Sequence, residues 1–133
     1  MATRSTIALE YADGTIGQVY CHFDGYLEHN GKILLEHWSE PFKLRELIDI
    51  GDVSSLSKEI GTKQTPMTIF YSRDYSRDTG EYSSTAMART FVDFQDYLAH
   101  HEYQEYEYIL RKDGCWYVKF DSLPMFDALD QHV

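Results

Sequence analysis

Apolar and polar residues alternate at both ends of the chain, while the middle carries the three-and-four spacing of helices. Residues 6–23 alternate around Asp13-Gly14, a two-residue turn signal, and so predict a β-hairpin. Pairing about that turn sets Leu9 opposite Gln18 and Ile7 opposite Tyr20. It predicts a buried face of Ile7, Leu9, Tyr11, Ile16 and Tyr20. His22 then ends the second strand on the core side, and Gly17 within that strand marks a bulge. A polar elbow follows, in which Gly25 is free to take a positive φ.

From Asn30, which can cap an amino end, Ile33, Leu34, Leu35 and Trp38 predict a helix. Pro41 suits the first turn of a second helix, Leu44, Leu47 and Ile48 give it an apolar stripe, and Gly51 stops it. Residues 52–65 read as connection with one helical turn around 56–60, and residues 67–72 as a short strand. Residues 73–84 read as an exposed loop. Thr90 opens a T-x-x-D box into a helix carrying Phe91, Phe94, Tyr97 and Leu98, which ends near His100 and His101. A second hairpin spans 105–121 around Asp113-Gly114, with Ile109 facing Val118 and Glu107 facing Phe120. Tyr106, Tyr108, Leu110 and Tyr117 fall on its opposite face. Residues 123–133 form a tail with room for one short helical turn. These elements predict a single α+β domain, an antiparallel sheet of two hairpins plus one strand with about three helices packed on one face.

A chain of 133 residues that is 43% hydrophobic can bury one proper core. No apolar run approaches the roughly 20 residues of a membrane span, and no secretory leader pattern opens the chain, so a cytoplasmic protein without membrane contact is expected. Cys21 and Cys115 both fall in predicted strands, where free, buried thiols are expected. The net charge of −10 argues against direct binding to nucleic acid and for a basic protein as partner. The acidity leans to the carboxyl end: residues 91–133 carry 3 basic and 9 acidic side chains. Plain solubility also accounts for a moderate negative charge.

Three groups of residues offer chemistry. In the elbow, His22 and Asp24 lie two apart beside Tyr26, and a carboxylate can orient an imidazole as a base. A strand-end histidine satisfied by a turn aspartate is the structural alternative. In the following loop, Arg73 and Arg77, with Asp78 and Glu81, could clamp a phosphate or carboxylate, or simply pair among themselves in solvent. The histidine spacings match no zinc pattern, so neither a metal nor a cofactor is expected, and no catalytic residue is assigned. In the carboxyl-terminal hairpin, Glu102, Tyr103, Glu105, Tyr106, Glu107, Tyr108, Tyr117 and Asp121 interleave acid with tyrosine. They predict a partner-binding surface, since tyrosine gives large contacts at small entropic cost. Burial of half the tyrosines in the core is the competing reading.

The run Ser5-Thr6-Ile7-Ala8, Asp13-Gly14, Val19-Tyr20-Cys21-His22-Phe23-Asp24-Gly25-Tyr26, with Gly31 and Leu34-Leu35-Glu36-His37, resembles a family of small, functionally uncharacterised proteins of phages and other mobile elements. Leu47-Ile48, Gly51-Asp52 and Ser54-Ser55-Leu56 extend the resemblance over roughly the first sixty residues, and residues 77–81 resemble the family's later Arg-Asp-x-Gly-Glu element. The family's pattern has Trp where Phe23 stands and Pro near Leu27. The resemblance implies a phage-type origin. Size, acidity and tyrosine content then suggest a non-enzymatic inhibitor of a basic host defence protein, such as a CRISPR effector, acting in the host cytoplasm by nucleic-acid mimicry. Homodimerisation through a sheet edge stays open, as does a nucleotide second-messenger site built from His22, Asp24, Tyr26, Arg73, Arg77, Asp78 and Glu81.

Overall fold

The computed structural model of the 133-residue chain describes residues 2–75 and 87–133. Its fold is α+β, built on one eight-stranded sheet. Strand β1 (Ser5–Glu10) lies at the centre. It pairs antiparallel with β2 (Ile16–Cys21) and parallel with β6 (Tyr106–Leu110). The outer edge of β2 is shared by β3 (Val53–Ser55), parallel at Cys21, and β5 (Arg89–Phe91), antiparallel over residues 16–18. The N–H of Tyr20 falls between them and donates to Asp52 Oδ1 at 2.8 Å. Strand β4 (Ile69–Phe70) pairs with β3. On the far side, β7 (Trp116–Phe120) pairs with β6, and β8 (Asp127–Ala128) completes the sheet.

The sheet is therefore mixed rather than antiparallel, because the two parallel pairings join segments far apart in sequence. Short strands at 53–55 and 89–91 replace the expected connection and the expected first helical turn. The T-x-x-D box does not cap a helix: Thr90 lies in β5, and Asp93 is the cap that accepts the Asp96 N–H.

Both hairpins sit where the Asp-Gly signals put them, but each is shifted by one residue. In the first, Tyr11 N–H donates to Thr15 O and Gly14 N–H to Tyr11 O, with Gly14 at φ 92°. In the second, Arg111 N–H donates to Cys115 O and Gly114 N–H to Arg111 O, with Gly114 at φ 85°. Each loop thus has three residues, a type I turn followed by a left-handed glycine, not the two-residue turn that the dipeptide alone suggests. Asp13 and Asp113 hold the loops by accepting the N–H of Thr15 and Cys115. Leu9 accordingly faces Gly17 and Ile7 faces Val19, while Tyr106 faces Phe120 and Ile109 faces Tyr117. A one-residue slip moves every side chain of a strand to the other face. Ile16 and Tyr20 thus leave the expected core face, and Tyr117 leaves that of Tyr106. Cys115 lies exposed in the turn instead of buried in a strand.

Helices cover both faces, not one. Helices α1 (Lys32–His37) and α2 (Pro41–Ile50) pack Leu34, Leu44, Leu47 and Ile48 onto Ile7, Leu9, Val19, Tyr108, Leu110 and Val118. Glu40 caps α2 by accepting the Lys43 N–H, and Gly51 at φ 118° ends it. Trp38, fully buried beyond α1, donates its Nε1–H to Ser57 O. Gly17 makes no bulge: a Cβ there would lie 2.9 Å from Ile48, so the glycine admits α2. On the other face, α3 (Phe94–His100) brings Tyr97 over Ala8, Ile16, Phe91 and Ile109.

Candidate functional site

The elbow after β2 proves to be a fastening. Asp24, not Gly25, takes the positive φ, at 58°. Gly25 is required for a different reason: a Cβ there would lie 2.7 Å from the Ser5 Cβ and 2.8 Å from Thr3 O. Its N–H donates to Thr3 O, and its carbonyl accepts the buried Tyr108 hydroxyl at 2.6 Å. Asn30 caps nothing. It is fully buried in a turn at Leu27–Gly31, where its Nδ2 donates to Ser5 Oγ, Cys21 Sγ and Phe23 O. Burial of Cys21 pushes its thiol up to about 11, so it stays protonated. His22 finds its partner in the Tyr20 hydroxyl, 2.6 Å from Nδ1, and the Asp24 carboxylate makes no hydrogen bond among the described residues. Tyr26 is exposed beside His29.

Arg73 is likewise consumed internally. Its guanidinium donates to Asp74 Oδ1 at 3.0 Å and to the carbonyls of Ile60, Gly61 and Thr68, and it lies over the Phe70 ring. With four of its five N–H donors engaged by Asp74 and the protein's own backbone, Arg73 has no pair of donors left to clamp a phosphate. Arg77, Asp78 and Glu81 lie outside the described residues. Among the described residues, no three His, Cys, Asp or Glu side chains converge to hold a metal, and no helix is long and apolar enough to cross a membrane.

The acidic, tyrosine-bearing hairpin is divided by the sheet. Tyr108 is fully buried and Glu107 is 2% exposed, so neither belongs to the expected partner surface. Glu107 Oε1 lies 2.5 Å from His101 Nε2, while His101 Nδ1 lies 2.6 Å from Tyr97 O. The Tyr97 carbonyl can only accept, so Nδ1 donates to it, and Nε2 and Glu107 Oε1 share the second hydrogen bond. Glu102 is engaged with Gln18 through a reciprocal amide pair and with Arg89 at 2.9 Å. Tyr117 donates its hydroxyl to Asp113.

What remains outward is a smaller group at one end of the sheet. Tyr106, half-buried, stacks beside Tyr108 at 9° and against Phe120. Burial, then the carboxylates of Glu28, Glu105 and Asp121, hold its hydroxyl above the ordinary phenol range. Those three acids come from the 27–31 turn, the approach to β6 and the end of β7. All are exposed, and none forms an ion pair among the described residues. Glu105 accepts only the Arg4 backbone N–H. Glu28 has no sequence signal linking it to Tyr106, since the fold alone joins them.

On the opposite face lies a cleft of about 450 Å³ between α3, β6–β7 and residues 124–126. Phe94, His101, Tyr103, Tyr117, Lys119 and Phe126 are among the residues that line it. The sequence hides it because its walls come from four separated segments. A hollow of about 700 Å³ between the hairpin turns and α2 is larger, but its Arg45 and Arg111 already face Asp49 and Glu10. No family model, no curated protein and no solved structure matches the chain.

Proposed function

We propose that the protein is a non-enzymatic, phage-type inhibitor whose acidic, tyrosine-bearing sheet end docks on a basic host protein. The class that fits is a nucleic-acid-binding defence effector such as a CRISPR complex. The observation that supports this reading is the setting of Tyr106, an aromatic platform flanked by Glu28, Glu105 and Asp121, none of which forms an ion pair among the described residues. Carboxylates fixed around a rigid platform offer a phosphate-binding groove the charge it selects for, and tyrosine supplies contact area at low entropic cost. The resemblance of the first sixty residues to phage proteins and the net charge of −10 support the same reading. The revised patch is Glu28, Glu105, Tyr106 and Asp121; Tyr103, though exposed, lies beside His101 on the other face.

The test is competition. Added to a purified CRISPR effector holding fluorescent nucleic acid, the protein is expected to displace it, less effectively as salt rises. The triple variant Glu28→Lys, Glu105→Lys, Asp121→Lys is expected to lose displacement while keeping its melting temperature within a few degrees. Displacement that survives the triple reversal, or none by the native chain across a panel of basic effectors, overturns the proposal.

A further inference from the structure

We propose that the cleft between α3 and the β6–β7 hairpin binds a small planar aromatic anion, with Lys119 taking the anionic group and the surrounding rings taking the plane. The cleft's volume of about 450 Å³ lies in the range of small-molecule sites, and Phe94, His101, Tyr103, Tyr117 and Phe126 line it with aromatic rings, as such sites commonly are. Phe94 and Phe126 are 6.5 Å apart at 61°, and Tyr103, 62% exposed, forms a rim with its ring 4.3 Å from His101. These surfaces accept a flat π-system by offset or edge contact.

Charge selects the anion. Lys119 sits directly across the β6–β7 ladder from Glu107, its natural partner, but Glu107 is turned inward to His101. Lys119, a half-buried residue, therefore has no side-chain hydrogen bond or ion pair among the described residues, in a protein with a large excess of acids. The other polar groups of the cleft are already engaged: His101 at both nitrogens, Tyr117 by Asp113, Arg111 by Glu10 and by the face of Phe94 at 3.6 Å. One free cation beside an aromatic box specifies a ligand with one anionic group on a ring. The site stands apart from the acidic patch, because the side chain of Tyr106 packs on the other face of the sheet.

The experiment uses naphthalene-2-carboxylate, naphthyl phosphate, the neutral naphthalene-2-carboxamide and inorganic phosphate as probes, titrated into the isotopically labelled full chain and followed by amide chemical shifts. Saturable shifts of Tyr103, Tyr117, Lys119 and Phe126 are expected with either aromatic anion. The two anions separate carboxylate from phosphate preference, and the carboxamide and inorganic phosphate are expected to bind at least roughly tenfold more weakly. Lys119→Met is expected to weaken the aromatic anions roughly tenfold and leave the carboxamide unchanged. If that variant does not fold, the comparison of carboxylate with carboxamide on the native chain decides alone. Equal affinity for the two, or no saturable shift at the cleft, overturns the proposal. The triple reversal at Glu28, Glu105 and Asp121 leaves this site in place, so its failure and that of the docking surface are read separately.

Discussion

The two faces of the sheet are built on different principles. Among the described residues, the face under α1 and α2 gathers 17 buried residues into one apolar cluster, whereas the face under α3 gathers five. Relative to its few apolar residues, the thinner face is the more polar. It buries Thr6, Glu10, Gln18, His101 and Glu107, and it holds two of the buried side-chain groups without a partner, Thr6 Oγ1 and the Tyr97 hydroxyl. A continuous apolar face secures the fold, while a face with polar groups and an opening retains what a ligand can use.

Trp38→Ala attacks the thick face and is expected to have the largest effect, about 4 kcal/mol by urea unfolding, since it opens a cavity and orphans the Ser57 carbonyl. A loss below about 1 kcal/mol would break the contrast between the faces. Glu107→Ala tests the thin face and is expected to cost about 3 kcal/mol, because it leaves His101 buried without its partner. Replacing both, His101→Phe with Glu107→Leu, is expected to restore most of that stability; if it does not, the pair contributes more than mutual satisfaction.

Gly25→Ala is expected to cost about 2 kcal/mol, because the methyl group meets Ser5 and the Thr3 carbonyl at the elbow, and a neutral result would mean the fastening gives way easily. The smallest effect belongs to Asp52 at the seam of β3 and β5. Burial raises its carboxyl above the ordinary value, outweighing the Tyr20 N–H that it accepts. The folded chain then holds more proton than the unfolded one from the ordinary carboxylate range upward to the raised value, so this group's contribution to stability falls as pH rises through that window. Asp52→Asn is expected to exceed the native chain above the window by less than about 1 kcal/mol and to lose that lead on acidification, as thermal melts across pH would record.

The sequence carried local information well. Pro41, the Leu44-Leu47-Ile48 stripe and Gly51 locate α2 without help, and the Asp-Gly pairs locate both hairpins. Loop length was not legible, because Asp-Gly serves a two-residue turn and a three-residue loop alike, and that one residue decided which face Tyr117 and Ile16 occupy. Pairings between distant segments were not legible either: nothing in the local pattern around Tyr106 announces β1 or Glu28, whereas the hairpin itself brought Asp121 beside it. For the same reason the elbow read as chemistry, although Asn30 and Gly25 hold it together.

The parallel pairing of β1 with β6 also has a consequence for the order of events in synthesis. Glu10 and Arg111, joined across that pair, are 101 residues apart in sequence. A ribosome therefore releases β1 and β2 long before the neighbour that completes the middle of the sheet, and β1 waits with its hydrogen-bonding edge open. Closing so long a loop is slow, which makes the arrival of β6 the expected rate-limiting step of folding. The partly buried ion pair of Glu10 with Arg111 then forms only after that closure, as a late lock on a strand that emerged first.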